Sequence, residues 1–191
     1  MAYQTYITEA LVCGSWHRNT ADRTILLFSR EAGMVYVQAK SVREERSKQR
    51  YALQDASHIR ATLIRGKAGW KVASAEPLKN FYAHGTTRES RALLRNIILL
   101  LRRVMQGETP HQDIFDDVVL VLGQQNIFPA SALEAIFSIR LLNMLGFVSP
   151  DVTHRHLFET PFPFEILANL SVETVEELKK ISEHALIQSQ L

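Results

Sequence analysis

The first eighty residues carry five short segments rich in β-branched and aromatic side chains: Tyr6–Trp16, Arg23–Ser29, Met34–Lys40, His58–Arg65 and Trp70–Ala75. Such segments, separated by turn residues, read as strands. Within Met34–Lys40, Val35, Val37 and Ala39 alternate with Tyr36, Gln38 and Lys40, which predicts one apolar and one polar face. Arg30-Glu31-Ala32-Gly33 and Gly66-Lys67-Ala68-Gly69 are compact connections with glycine available for positive φ, so each predicts a hairpin. Five short strands with one long middle connection fit a small closed barrel of the oligonucleotide-binding (OB) type, which removes exposed edges.

Past Pro77 the hydrophobic period lengthens. Thr86-Thr87-Arg88-Glu89 has the form of a capping box and opens a predicted helix to about Gln106. Its apolar side is Leu93, Leu94, Ile97, Ile98, Leu101 and Met105, and Arg88, Arg91, Arg95, Arg102 and Arg103 lie elsewhere on it. Gly107 and Pro110 end it, and a second helix is expected over His111–Gly123. Ser131-Ala132-Leu133-Glu134 predicts another capped helix, running to Leu145 with Gly146 as its stop. Ser149–Pro163 reads as a loop, and Ser171 caps a last amphipathic helix with Glu173, Glu176 and Glu177 near its positive end. The expected architecture is α+β in two domains, a five-stranded OB-fold barrel over 1–82 and an all-α domain over 83–191.

Composition sharpens this picture where it is uneven. The net charge is only +2, yet residues 1–83 hold thirteen Lys/Arg against seven Asp/Glu, and residues 84–191 hold nine against thirteen. A polyanion responds to local potential, so the first half is the candidate nucleic-acid surface. The single cysteine, Cys13, excludes an internal disulfide and any zinc site needing two thiolates, and it is expected to be a small buried hydrophobe. The longest apolar run, Ile97–Leu101, is far below the roughly 20 residues of a membrane span, and no signal-like leader opens the chain, so a cytoplasmic location without membrane contact is expected.

The densest cationic cluster is Lys40, Arg43, Arg46, Lys48 and Arg50 in the middle connection, with Arg65, Lys67 and Lys71 at strand ends. Cations along a groove hold phosphates, and interleaved aromatics stack unpaired bases, which makes Tyr36, Tyr51 and Trp70 candidates. Tyr36 shares a face with Gln38 and Lys40, whereas Trp70 either stacks a base or plugs the barrel end. His154 and His156 lack cysteine companions, so no metal site and no cofactor are expected. Asp116-Asp117 and Glu176-Glu177 are neighbours on predicted helices, so their side chains diverge and cannot share a substrate proton. No nucleophile elbow or phosphate-binding glycine loop is present, and the chain reads as non-enzymatic. Arg140, on an apolar helix, could bind a partner's C-terminal carboxylate with two hydrogen bonds, or tie helices together internally. The first option supports an alternative function, a protein-interaction adaptor whose barrel is scaffold.

The order of several motifs resembles the RecO family of bacterial recombinational-repair proteins. They are Ala10-Leu11-Val12, Thr20-Ala21-Asp22-Arg23, Leu27 to Gly33, Ala39 to Arg43, Ser47-Lys48, Leu53-Gln54, Leu63 to Gly69, Ala75 to Leu78, and Phe137 to Phe147 with its Leu-Gly-aromatic turn. The resemblance implies an OB-fold followed by a helical domain, and binding of single- and double-stranded DNA. It further implies strand annealing and help in loading RecA onto strands covered by single-stranded-DNA-binding protein (SSB), with SSB and RecR as partners and a nucleoid-associated location. Two departures stand out. The four-cysteine zinc knuckle of many relatives has no counterpart in Pro150–Pro161, and a usual glycine after Lys40 is Ser41.

Overall fold

The structure, a computed structural model, describes residues 4–17, 22–42, 44, 47, 49–149, 154–158 and 162–189. It divides into two compact units, residues 1–84 with 105–115, and residues 85–104 with 116–191.

In the first unit the alternating segments form β1 (Gln4–His17), β2 (Arg23–Ser29), β3 (Gly33–Ala39), β4 (Ser57–Gly66) and β5 (Gly69–Asn80), closed into a barrel in the order β1-β2-β3-β5-β4. All pairings are antiparallel except the closure of β3 on β5, which is parallel and joins Val37 to Trp70 and Gln38 to Lys71. The inward residues Ala10, Val12, Ile25, Leu27, Val35, Val37, Ile59, Ala61 and Leu63 fill the interior as the period-two pattern requires. The two-residue loop Lys67-Ala68 joins the paired Gly66 and Gly69, and Gly69 takes φ +94° there.

Several features depart from a plain alternation. The middle connection contains a short helix, α1 (Gln49–Ala52), because Ala52 and the following Leu53 reach the barrel core and Gln49 donates to the Ala73 carbonyl at 3.0 Å. β5 continues past Pro77, where a bulge at Leu78 breaks the ladder and accommodates a residue with no N–H. A second bulge inserts Cys13 between Val12 and Gly14 on β1. Cys13 itself is buried, as expected.

A short helix, α2 (Phe81–His84), follows β5 and buries Phe81. Residues 105–115 also belong to this unit. The Met34 N–H donates to the Gly107 carbonyl at 3.0 Å, and Phe115 packs its ring against Phe28 and His58 at 5.6 and 5.9 Å. Gly33 takes φ +69°, and any side chain there would meet the Thr109 backbone, so only glycine allows this close approach.

The second unit consists of α3 (Arg88–Val104), most of α4 (Gln112–Gly123), α5 (Ala130–Met144), a 3-10 turn (Arg155–Phe158), α6 (Phe164–Leu167) and α7 (Val172–Gln188). The cap of α3 is reciprocal but sits one residue later than the sequence pattern suggests. Thr87 Oγ1 accepts from the Ser90 N–H at 3.0 Å, and Ser90 Oγ accepts from the Thr87 N–H at 3.1 Å. α5 starts at Ala130 with Pro129 at the cap position and no side-chain cap, so Ser131 lies inside the first turn; Glu134 instead accepts from Asn96 Nδ2 at 3.0 Å. Gly146 ends this helix at φ +81°, with Phe147 N–H on the Leu142 carbonyl and Gly146 N–H on the Asn143 carbonyl, a Schellman closure. Ser171 caps α7 as expected, its Oγ accepting from the Thr174 N–H at 3.1 Å. Among the described residues of the expected loop Ser149–Pro163, 155–158 form the 3-10 turn, and the remainder of its centre lies outside the described residues.

Candidate nucleic-acid interface

The outer surface of the barrel is set by register. Trp16 on β1 pairs with Thr24 on β2, Thr24 with Gln38 on β3, and Gln38 with Lys71 on β5, so these four side chains form one outward row across four strands. Neighbouring strands lie about 4.8 Å apart, which makes the row about 14 Å wide. Tyr36 shares the outward face of β3 with Gln38, and Lys40 follows directly after the strand. Tyr36 is 62% exposed and Trp16 41% exposed, and their ring centroids lie 5.9 Å apart at 45°. The result is a wet aromatic pair on an outer face that also carries Lys71 on β5 and Lys40 just after β3, and it includes the strand 2–3 face that OB-folds use for oligonucleotides.

Trp16 is the residue that sequence reasoning missed as a candidate. With strict alternation from Val12, which points inward, Trp16 would also point inward. The bulge at Cys13 reverses the parity and sends it out. Only the Thr24 pairing reveals this.

Of the expected cations, Lys40, Lys67 and Arg50 are exposed and Lys71 is half-buried in the outward row. Among the described residues no carboxylate pairs with Lys40, Lys67 or Lys71. Lys40 stands where the chain turns: Ser41 takes φ +51°, a conformation that glycine adopts at less cost, and its N–H donates to Asp22 Oδ1 at 2.9 Å. Arg43, Arg46 and Lys48 lie outside the described residues. Tyr51 is exposed on α1 beside Arg50.

Arg65 and Trp70 have a different part. Trp70 is only 5% exposed, its ring packs on Tyr6 at 5.1 Å, and its Nε1–H donates to Glu108 Oε1 at 2.9 Å. The other oxygen of Glu108 pairs with Arg65 at 2.9 Å, and the Arg65 guanidinium lies 5.5 Å from the indole centre. Trp70 therefore plugs the barrel, the structural option of the two expected, and offers no face to a base. Arg65 braces that plug, half-exposed, with part of its charge answered by Glu108.

His58, adjoining the core, is buried against Phe81 and Phe115, and burial pushes its pKa below the usual histidine value although Glu9 pulls the other way. As a neutral ring its Nε2–H donates to Glu9 Oε2 at 2.9 Å. Glu9 also lies 3.7 Å from Arg60.

In the helical unit Arg140 is 1% exposed. Its Nε donates to Asp117 Oδ2 at 2.8 Å, its Nη1 donates to the Leu157 carbonyl at 2.9 Å, and it lies 5.0 Å from the Phe162 ring centre. Capture of a partner's carboxylate by this residue is thus corrected to an internal tie, because the guanidinium is enclosed and already bound to an acid. His154 is buried 3.8 Å from Glu177, and His156 is exposed. Among the described residues no group of three or more His, Cys, Asp or Glu is placed to hold a metal ion, and no helix is long and apolar enough to cross a membrane.

The fold defines a class: a closed five-stranded OB-type barrel followed by an all-α unit, with an aromatic and cationic outer barrel face. Comparison with known proteins narrows it. No family model matches the chain. The chain is similar to the DNA repair protein RecO of Heliobacterium modesticaldum, 32% identical over 144 residues, covering 74% of this chain and 52% of that protein. It is also similar to the DNA repair protein RecO of Desulfitobacterium hafniense, 27% identical over 142 residues, covering 74% and 52%. The chain is a distant homologue of these RecO proteins, and it spans about half the length of the relatives it matches.

Proposed function

We propose that the chain is a RecO-type DNA repair and recombination mediator without catalytic activity of its own, which captures DNA on the outer face of its barrel. The observation that carries this reading is the Trp16–Tyr36 pair exposed beside Lys40 and Lys71, in a chain distantly homologous to DNA repair proteins. Lys40, Arg50, Lys67 and Lys71 hold backbone phosphates, joined on grounds of charge by Arg43, Arg46 and Lys48 and more weakly by Arg65. Tyr36 and Trp16 stack bases without reading their identity. Neutralising the phosphates of two strands reduces their repulsion and raises their encounter rate, so annealing needs no acid, base or nucleophile. Single- and double-stranded DNA are the ligands, SSB and RecR the partners, RecA loading the outcome, and the nucleoid region of the cytoplasm the place.

A fluorescence strand-annealing assay at two salt concentrations, with and without SSB, tests this. Annealing and single-strand affinity should both fall steeply with salt, and reversing Arg43 and Lys48 to glutamate should flatten that dependence. Binding indifferent to salt removes the reading.

A further inference from the structure

The helical unit holds nine Lys/Arg and eleven Asp/Glu, so its average charge gives no reason to expect a polyanion. Five of those nine cations nevertheless lie on α3, which carries a single acid, Glu89. At about 100° per residue, Arg88, Arg91, Arg95, Arg102 and Arg103 fall within an arc of about 120°. All five are exposed, Leu99 between them is 52% exposed, and Glu89 projects outside the arc. The opposite side, Leu93, Leu94, Ile97 and Leu101, is buried. From Arg88 to Arg102 the helix rises about 21 Å, the axial length of about six phosphates in one strand of a duplex.

Helix stability accounts for Arg102 and Arg103 in the last turn, and Arg91 Nε donates to the Gly85 carbonyl at 3.2 Å, but neither reason extends to Arg88 and Arg95. Arg88 and Arg91 occupy the first turn, where the backbone N–H groups already present positive charge, and they repel each other at i,i+3, as Arg91 and Arg95 do at i,i+4. Every cation of the stripe is arginine, whose planar fork suits phosphate oxygens better than a lysine point charge. A protein partner is a poorer fit, because such interfaces centre on buried aromatic or aliphatic anchors and this arc has only Leu99 and Ala92. We propose that the arginine face of α3 is a second phosphate-binding site for nucleic acid, made by residues distinct from those of the barrel face.

The test uses the full chain with a twenty-nucleotide oligothymidylate and, separately, a twenty-base-pair duplex. R88Q/R95Q/R102Q should lower the slope of log affinity against log salt by about 2 on the single strand, at about 0.7 per lost phosphate contact. The ratio of affinities at 50 and 200 mM salt then shrinks more than tenfold. K40E/K71E runs in parallel. If the α3 variant keeps the full slope while K40E/K71E loses binding, the α3 site is overturned and the barrel reading stands. If the α3 variant loses slope and K40E/K71E does not, the α3 site stands and the barrel face is overturned. An unaltered chain that binds neither DNA overturns both. Should the triple variant fail to fold, arginine modification by phenylglyoxal on the unaltered chain decides: oligothymidylate should protect Arg88, Arg95 and Arg102. Protection of these by polyglutamate but not by DNA overturns the proposal in favour of an acidic protein partner.

Discussion

Replacing Tyr36 with alanine isolates the stacking part of the barrel face. The ring is 62% exposed, and its recorded aromatic neighbour is Trp16 at 5.9 Å, so the folded state loses one tilted aromatic pair worth about 0.5–1.5 kcal/mol. A base stacked on the ring contributes about 1–3 kcal/mol, so affinity for single-stranded DNA should fall between about fivefold and 150-fold. Tyr36→Phe keeps the π-face and should bind nearly as well as the unaltered chain. The chain has two tryptophans, and Trp70 is enclosed, which makes intrinsic fluorescence a local assay. Oligothymidylate should quench Trp16, and Trp16→Phe should leave only the DNA-insensitive signal of Trp70. Phosphate capture alone would leave Tyr36→Ala with unchanged affinity and Trp16 unquenched, and that pair of results refutes the stacking argument.

Three further outcomes are expected. Gly33→Ala should destabilise the barrel by about 2 kcal/mol or more, because the left-handed conformation alone costs about 1–2 and the new methyl displaces the Thr109 backbone. Gly69→Ala, with open space around it, should show the conformational cost only, so equal denaturation midpoints for the two would contradict the contact. Arg140→Met should cost about 3–5 kcal/mol by stranding Asp117 in the interior, and adding Asp117→Leu should recover much of it; a neutral single variant in urea melts counts against the internal tie. His58 is held below its ordinary pKa of 6.5, so the unfolded chain binds its proton first. Its contribution to stability is complete above about pH 6.5 and declines as pH falls toward the folded-state value. Melting curves at pH 7.5 and 5.5 should therefore separate more for the unaltered chain than for His58→Phe, and identical separations would show that this ring is not the titrating group.

Local chemistry along the chain determined most of the architecture. Period-two alternation, the glycine-bearing connections and the change of period after the barrel place five strands and then helices, because each signal depends on residues near one another in sequence. Tyr36 was legible as an exposed aromatic for the same reason, since its neighbours Gln38 and Lys40 mark its face. The functional face as a whole was not. Trp16 reaches it through one extra residue at Cys13, and a bulge has no composition of its own; it exists only as a register between β1 and β2. Trp70 and Arg140 each had two chemically reasonable fates, and each was decided by a carboxylate from elsewhere in the chain, Glu108 and Asp117. Likewise residues 105–115 join the barrel because a glycine 74 positions earlier than Gly107 lets two backbones touch. Periodicity reports which side of an element is apolar, whereas tertiary structure decides which distant group answers a buried charge or N–H.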